Sequence, residues 1–538
     1  MTPVQRFDPL ALTLDTLTQA AQEEAVKLGL RNPFKELPSE IGFAAWFAVI
    51  EENFRALQVA ECRAVFDRYQ GEDAGDLDRF RECYLVYCHD EMVERHCRAN
   101  LDDLTGLLHR RVELFLEQVL QFRIAGDPAI AEHQTPLEER FIKFRGTVGD
   151  KQLSSGQLNQ VIKRDADRGA RQQAWEAFLP MGEESREAII HLVEQRNRLA
   201  RNLGYRDFVD LRWKHSNINE EWLLGVLDTI ERETAAPYAA MCEDLARMLG
   251  VERLQPWDVA YAVDVVSPLP PETFDQTGAQ TRMEKLLRGW GFPASATQIP
   301  AMRCDSFSMG GLCFGIEPGK DVAILFAPAD GPRFYRTFFH EFGHAMHFRN
   351  AGMNSILLNV EDMAFNEGMA VFYESFVSDP LWVRANFDMS ADDLDAYSKH
   401  ARYAALAWMR TLLVNVRFEH ALYVNQDMDQ DAFFLQLQKS CGGFDLPASA
   451  GMRWAADQMT VSLPINWHNY VIAELIARQT REYLLARDGT LLDNPRVGEF
   501  LMNQFYLPGA GKSWPVKIEE ATGKILDADA FFRYLRAV

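Results

Sequence analysis

The chain has 538 residues, and its 47% hydrophobic and 25% charged residues are typical of globular proteins rather than disordered or collagen-like ones. Its formal net charge of −22 argues against nucleic acid and anionic membranes as partners, because both would repel an acidic protein. The longest apolar run, residues 41–50, is too short to span a bilayer, and no signal peptide is visible. The eight cysteines contain no C-x-x-C pair, so we expect reduced thiols and a cytoplasmic location.

Helical periodicity dominates the first part of the chain, from residue 15 to about residue 211. Residues 165–205 are typical of two helices, separated near Pro180 and ended by Gly204. After residue 255 the pattern changes, and residues 310–316 and 321–328 predict two short strands joined by a turn. Helices return after Pro332. We therefore predict a helical N-terminal lobe, residues 1–215, and a catalytic lobe, residues 216–538, with an approximate boundary.

The decisive motif is H-E-F-G-H, which begins at His340 and lies in a predicted helix between Pro332 and Asn350. Residues four apart share one helical face, so the imidazoles of His340 and His344 can bind one zinc ion. Glu341 can reach a water on that ion without being a ligand itself. The alternative is a helix with two core histidines and one solvated glutamate.

A zinc site with two histidines needs a third ligand, commonly a carboxylate on a following helix. The predicted helix over residues 361–376 offers three glutamates. Glu367 is favoured, because its apolar neighbours would make an unpaired carboxylate costly. Glu374 lies two turns later on the same face and is a candidate partner for a ligand histidine. Asp362 is typical of helix N-terminal charge, and the role of Glu361 stays open.

The motif H-E-x-x-H-x-x-H, followed by Glu367 and, seven residues later, Glu374, resembles the thimet oligopeptidase and oligoendopeptidase F family of zinc peptidases. Residues 364–380 also look like the third-ligand helix of the angiotensin-converting enzyme family, although Val371 stands where that family has an aspartate. Upstream, residues 171–211 resemble the paired helices that precede the metal site in both families. The resemblance covers about residues 160–480.

The resemblance implies a mainly α fold, a two-lobed helical zincin of the gluzincin type with a deep substrate channel. It implies one Zn²⁺ per chain, held by His340, His344 and Glu367 on the channel floor. A small β-sheet would lie beside the metal site, and its edge strand would pair with the substrate backbone. Residues 310–316 are our candidate for that edge strand.

A late segment departs from the family pattern. Tyr470 fits the last tyrosine of that pattern, whose hydroxyl would stabilise the oxyanion of the transition state. The histidine of the oligopeptidases falls on Gln458 and that of the converting enzymes on Thr460, so the histidine donor is missing. The two earlier tyrosines of the oligopeptidase pattern fall on Leu463 and Trp467.

Trp467 and His468 are candidates for substrate binding, since both lie close to Tyr470 in the sequence. On a helix, however, His468 points about 160° away from Tyr470, so a packing role fits it equally well. Cys88, His89, His96 and Cys97 could suggest a second metal site, but their spacing favours ordinary helix residues.

The sequence thus predicts zinc-dependent hydrolysis of peptide bonds in short peptides, with Glu341 as general base and Tyr470 as oxyanion donor. Two alternatives stay open. The altered late segment would suit an amide hydrolase or tailoring enzyme for a specialised small molecule. A catalytically impaired zincin acting as a binding protein is less favoured, because binding alone does not need Glu341. The sequence predicts neither the cleavage position nor the oligomeric state.

Overall fold

The computed structural model describes residues 17–35, 41–264, 269–304 and 310–536. Helices make up most of this part of the chain. The helices that precede residue 301 are α1 Gln19–Lys27, α2 Phe43–Tyr69, α3 Asp78–Tyr87, α4 Glu91–Asn100, α5 Gly106–Gly126, α6 Pro128–Lys143, α7 Ser155–Arg164, α8 Arg168–Glu176, α9 Leu179–Asn202, α10 Phe208–His215, α11 Glu220–Leu249, α12 Pro256–Asp264, α13 Ala279–Gly289 and α14 Ala294–Thr297.

The helices after residue 326 carry the predicted site. They are α15 Pro332–Arg349, α16 Met363–Glu374, α17 Pro380–Asn386, α18 Ala391–Val424, α19 Gln430–Ser440, α20 Met459–Ser462, α21 Trp467–Asp488, α22 Pro495–Phe500, α23 Trp514–Thr522 and α24 Asp529–Arg536. The predicted mainly α fold is confirmed. None of the helices in the described ranges is both long and apolar enough to cross a membrane.

Two small sheets interrupt the helices. Strands β1 Arg145–Val148 and β2 Lys151–Ser154 form an antiparallel hairpin. Strands β3 Ala301–Arg303, β4 Gly311–Glu317 and β5 Asp321–Phe326 form a sheet in the order β3-β5-β4, with β4 at one edge. The two predicted strands are confirmed as β4 and β5. The sequence missed β1, β2 and β3, because three or four residues are too few to show an alternating pattern.

Helices α15 and α16 approach each other closely, and this approach sets the geometry of the site. A Cβ atom at Gly343 would lie 2.6 Å from the Cα of Ala370, so only glycine leaves room for the contact. The start of α15 at Pro332 agrees with the prediction. The sequence predicted a helix over residues 361–376, but helix α16 begins at Met363. Glu361 therefore lies before the helix and not within it.

One group of buried apolar residues in contact with one another draws its members from between Ile130 and Phe532. It includes buried residues of α15, α16 and α21. A second group of buried apolar residues lies between Leu17 and Val119, and the segment Ile356–Leu358 packs with it. Helices α8 and α9 confirm the predicted helix pair, and Gly204 follows them with a φ of 89°. The division into lobes near residue 215 stays a prediction.

Candidate metal centre

Three side chains from α15 and α16 converge on one point. The Nε2 atom of His340 lies 3.3 Å from Oε2 of Glu367, and Nε2 of His344 lies 3.8 Å from Oε1 of the same carboxylate. Within the described residues, His340, His344 and Glu367 are the three metal-binding types of side chain whose candidate ligand atoms all lie within 4.8 Å of one another. We refer to these three residues as the metal-ligand group. Donors about 2.1 Å from one tetrahedral zinc ion lie about 3.4 Å apart, so these separations fit that metal.

The buried Oε2 atom of Glu367 has no hydrogen-bond partner among the described residues. A buried carboxylate oxygen is costly without a partner, and a cation between it and the two imidazoles would satisfy it. The donor set of two imidazoles and one carboxylate is also one that zinc prefers. The residues present therefore fit the implied metal.

The far side of each imidazole is held by a hydrogen bond. His340 Nδ1 lies 3.1 Å from Oε2 of Glu374, and His344 Nδ1 lies 3.1 Å from Oδ1 of Asn366. These contacts leave both Nε2 atoms directed toward Glu367 and fix the ring orientations. Glu374 lies where the sequence placed it. Asn366 was missed, because its direction depends on a helix register that the sequence did not define.

Glu341 lies between the metal-ligand group and the edge strand β4. Its side chain is buried, and the backbone N–H of Cys313 donates a hydrogen bond to its carboxylate. Burial raises the pKa of Glu341 to about 7, although the nearby His340 opposes the rise. A Cβ atom at Gly311 would lie 2.7 Å from Cγ of Glu341, so β4 packs directly against this side chain.

A cavity of about 800 Å³ opens above this group. His340, Glu341 and Tyr470 line it. Helix α18 contributes a wall of mostly small residues, which are Ala401, Ala404, Ala405, Ala407 and Thr411. Trp408 stands among them with 43% of its surface exposed. Val371, at the position where the converting enzymes have an aspartate, also faces the cavity.

Tyr470 lies on the cavity wall near the metal-ligand group. Burial raises its pKa to about 12, and the negative charge of Glu367 adds to the rise. The phenol is therefore neutral at physiological pH and can donate a hydrogen bond into the cavity. The rings of Trp467 and Trp408 lie 6.0 Å and 6.2 Å from the Tyr470 ring, so Trp467 packs beside the tyrosine.

His468 lies on the other side of α21. Its ring is buried, and Nε1 of Trp213 lies 3.3 Å from its Nδ1 atom. Burial lowers the pKa of His468 to about 3, so the ring is neutral. The position agrees with the expected 160° separation from Tyr470. A role for His468 in substrate binding has no support from this location, and the packing interpretation fits it.

Glu361, whose role the sequence left open, is separate from the metal-ligand group. It is buried in an ion pair with Nζ of Lys517, and its Oε1 lies 3.7 Å from Nε2 of His347. The neighbouring Asp362 accepts a hydrogen bond of 3.2 Å from Nδ2 of Asn217. Asp362 makes no side-chain cap to α16, and burial raises its pKa to about 6.

The cysteines and histidines near residue 90 do not form a metal site in the described part of the chain. The ring of His89 packs among aromatic rings, including Phe122 at a centroid distance of 4.6 Å. His96 contacts the edge of Trp46, while Cys88 and Cys97 are buried free thiols. These residues are part of the N-terminal packing, as the sequence favoured.

The comparisons with known proteins agree on the fold. The model of peptidase family M3 matches residues 161–285, which lie upstream of the metal-ligand group. A 3.1 Å X-ray structure named as an oligoendopeptidase F aligns over 98% of this chain and 99% of its own, with 17% identity and a TM-score of 0.71. A second such structure, from Bacillus anthracis str. Ames, aligns over 96% of this chain and 94% of its own, with 16% identity and a TM-score of 0.65. No curated protein sequence matches significantly.

The matched segment and the metal-ligand group lie in different parts of the chain, so they are independent observations. Residues 161–285 carry the family match, and His340, His344 and Glu367 carry the metal-ligand geometry. Together with the shared fold, they support a metallopeptidase that resembles peptidase family M3 and the oligoendopeptidase F structures.

Proposed function

We propose that this protein is a zinc-dependent oligopeptidase that hydrolyses peptide bonds in short peptides. The observation that carries the proposal is the convergence of His340, His344 and Glu367 beside Glu341 on one cavity. One Zn²⁺ held by these three ligands would act as a Lewis acid toward the scissile carbonyl. No disulfide joins any of the eight cysteines, all of which lie in the described residues, and this fits the reducing cytoplasm expected from the sequence.

Glu341 serves as general base and then as general acid. It faces the cavity next to His340 and is not one of the ligands. It accepts a proton from the attacking water and passes that proton to the leaving amine. Burial raises its pKa in the metal-free chain, and a raised pKa makes the carboxylate a better acceptor for the proton of the attacking water.

Tyr470 donates to the oxygen of the scissile carbonyl as negative charge develops there. It lies on the cavity wall, and burial, together with the negative charge of the nearby Glu367, raises its pKa. Such a donor acts mainly in the transition state, where the charge is largest. With Gln458 in place of the family histidine, Tyr470 is the donor that this chain retains from the family pattern.

Strand β4 supports a peptide as the substrate class. It is the edge of its sheet, and Gly311 at its start lines the cavity beside Glu341. An edge strand offers unpaired backbone groups that bind another extended chain through main-chain hydrogen bonds. Affinity of this kind depends little on the substrate sequence, and a cavity of this size admits a short chain and not a folded protein.

A digest of a peptide library tests the proposal. Native protein loaded with zinc should cleave peptides, a chelator should abolish cleavage, and added Zn²⁺ should restore it. Glu341→Gln should retain zinc and thermal stability but lose turnover, since the base is gone while the size is kept. The exposed Glu499→Gln is the matched control and should behave as the native protein. Normal turnover by Glu341→Gln would contradict the mechanism.

A second candidate function is hydrolysis of an amide in a specialised small molecule. Gln458 and Leu463, where the family has a histidine and a tyrosine, favour it, because they remove groups that the family uses around a peptide. The same library distinguishes the two. Zinc-loaded native protein that leaves all peptides intact but cleaves small amides, with Glu341→Gln inactive, would favour this candidate. Absence of any hydrolysis would favour a binding protein.

A further inference from the structure

A buried cation on the cavity wall uses a small part of its hydrogen-bonding capacity. Arg478 lies on α21, eight residues after Tyr470, and both side chains line the cavity. The Arg478 side chain is 9% exposed, and its Nε donates a hydrogen bond of 2.7 Å to Oε1 of the buried Glu474. The pair with Glu474 compensates the buried charge, but it occupies one of the five N–H groups of the guanidinium.

The outer edge of the Arg478 guanidinium is open to the cavity. Within the described ranges, Nη1 and Nη2 of Arg478 donate no hydrogen bond, and neither atom is fully enclosed by protein. Two parallel N–H groups on one edge of a guanidinium match the two oxygens of a carboxylate. The free edge of Arg478 therefore offers a bidentate site for an anionic group in the cavity.

Two contacts fix the position of this guanidinium before a substrate arrives. Its Cζ lies 3.6 Å from the centroid of the Tyr534 ring, on α24, so a cation–π contact holds its face. Glu474, one turn before Arg478 on α21, holds its Nε. A long side chain that is already immobilised loses little further freedom when it binds a ligand. Arg478 is therefore well prepared to bind an anion.

The charges along the cavity also favour an anionic group. The whole chain carries a net charge of −22, but four basic and three acidic side chains line the cavity. The basic ones are Lys163, Arg333, Arg336 and Arg478. An acidic protein repels an anionic substrate at long range, so a carboxylate in the cavity needs a local cation to hold it. Arg478, with its free Nη atoms, is suited to that task.

The spacing along α21 indicates where on the substrate this anion lies. Eight helical residues advance about 12 Å, and Tyr470 marks the scissile carbonyl in the proposed function. An extended peptide covers about 3.3–3.6 Å per residue, so Arg478 lies about three residues from the cleaved bond. The C-terminal carboxylate of a short peptide lies within such a distance. An acidic side chain of the substrate offers the same chemical group.

We propose that Arg478 binds a carboxylate of the substrate peptide, about three residues beyond the bond that is cleaved. The proposal rests on the proposed function, because it places the peptide in the same cavity. The carboxylate is that of the C-terminus or that of an acidic side chain. A charge-assisted, bidentate contact of this kind selects substrates by charge and sets the length of the fragment released.

Three forms of one peptide test this role in steady-state kinetics. They are a free acid that ends about three residues beyond the cleaved bond, its C-terminal amide, and the amide with glutamate as the last residue. Amidation should lower kcat/KM about 10-fold or more, mainly through KM, because a charge-assisted contact is lost. Recovery in the glutamate form would assign the site to any carboxylate, and no recovery would assign it to the C-terminus.

Variants of Arg478 connect this preference to the guanidinium. Arg478→Lys keeps the charge but lacks the planar fork, so it should lose most of the preference for the free acid. The double variant Glu474→Gln with Arg478→Met should lose all of it and leaves no buried charge uncompensated. Arg481→Lys is the matched control, since Arg481 lies on the same helix and pairs with Asp379. It should keep the native preference.

Binding measured without turnover separates this proposal from the proposed function. Calorimetric titration of zinc-loaded Glu341→Gln protein gives the Kd of each peptide, and the free acid should bind about 10-fold or more tightly than the amide. Adding Glu474→Gln and Arg478→Met should make the two affinities equal. Equal affinity for all three peptides in Glu341→Gln, or a preference that survives the added substitutions, would overturn the proposal. If native protein cleaves no peptide, the proposed function fails, and the titration alone decides whether Arg478 binds a carboxylate.

Discussion

Three glutamates at the candidate metal centre, Glu341, Glu367 and Glu374, have the same chemical group but different surroundings. Burial alone would raise the pKa of Glu367, but the adjacent imidazoles of His340 and His344 bring it below its usual value. Burial dominates at Glu341 and raises its pKa to about 7. Glu374 holds the outer nitrogen of His340. The position of each carboxylate relative to the imidazoles thus supports the role proposed for it, which is metal binding for Glu367, proton transfer for Glu341 and orientation for Glu374.

The contact between Glu374 and His340 predicts an effect on metal affinity. Glu374→Gln keeps the shape but removes the charge that orients the imidazole and raises its basicity. Zinc affinity should fall about 10- to 100-fold, as for other partners of ligand histidines. Competition with a chromophoric chelator measures this affinity. Glu499→Gln should leave it unchanged, and an unchanged affinity in Glu374→Gln would show that the contact does not support the metal.

The burial of His89 predicts that the folded protein loses stability in acid. Burial lowers its pKa to about 3, so the folded protein does not bind a proton that the unfolded chain binds below about pH 6.5. This contribution to stability is present above that pH and is lost progressively as the pH falls toward 3. Between about pH 7.5 and about pH 5 the free energy of unfolding should drop by about 2 kcal/mol through this residue.

The variant His89→Phe should lack this part of the acid sensitivity, since phenylalanine does not titrate and fits an aromatic environment. Thermal unfolding at both pH values, compared with the native protein, gives the difference. The exposed His191→Phe is the control and should keep the native pH dependence. An equal loss of stability in His89→Phe and in the native protein would contradict the assignment of the effect to His89.

At the scale of elements, the contact between β4 and α15 confines Glu341, the proposed general base. Gly311→Ala would put a methyl group within 2.7 Å of Cγ of Glu341 and displace the carboxylate. We expect kcat to fall at least about 10-fold, because catalysis is sensitive to small displacements, while zinc content stays the same. Gly225→Ala, on α11 with open space around the position, is the matched control. Full activity in Gly311→Ala would show that Glu341 is not confined by β4.

The sequence predicted those elements whose signal is local. Proline and glycine marked the start of α15, and alternating residues with a turn marked β4 and β5. Four-residue spacing placed His340 and His344 on one face, as found. The start of α16 was wrong by two residues, since acidic residues before a helix resemble its first turn. Strand β3 was missed, because its three residues are too few to show an alternating pattern.

At the scale of the whole molecule, distant parts of the chain support the helices of the candidate metal centre. Lys517 on α23 pairs with Glu361, which lies 156 residues earlier, just before α16. Both side chains are almost completely buried. No local pattern could reveal this pair or the contact between Asn366 and His344, because both depend on how helices pack. The sequence therefore identified the three converging side chains and Glu374, but it identified neither Asn366 nor the buried pair.

This buried pair predicts a large effect on stability. Lys517→Met keeps the apolar stem but leaves the carboxylate of Glu361 buried without its cation, at a cost of about 3–5 kcal/mol. The double variant Lys517→Met with Glu361→Gln should recover much of this loss, because no buried charge remains uncompensated. Thermal unfolding measures both. A single variant as stable as the native protein would show that Glu361 is neutral or paired elsewhere.

The same pair has a consequence for the order of events during synthesis. The ribosome completes the ligands and their partners, His340 to Glu374, well before it adds Lys517. Until then, Glu361 has no cation to accompany it into the interior, and burying it alone is unfavourable. We therefore expect the nascent chain to hold His340, His344 and Glu367 in a loosely packed, solvent-accessible state. We expect this group to reach its final geometry only after Lys517 has been added.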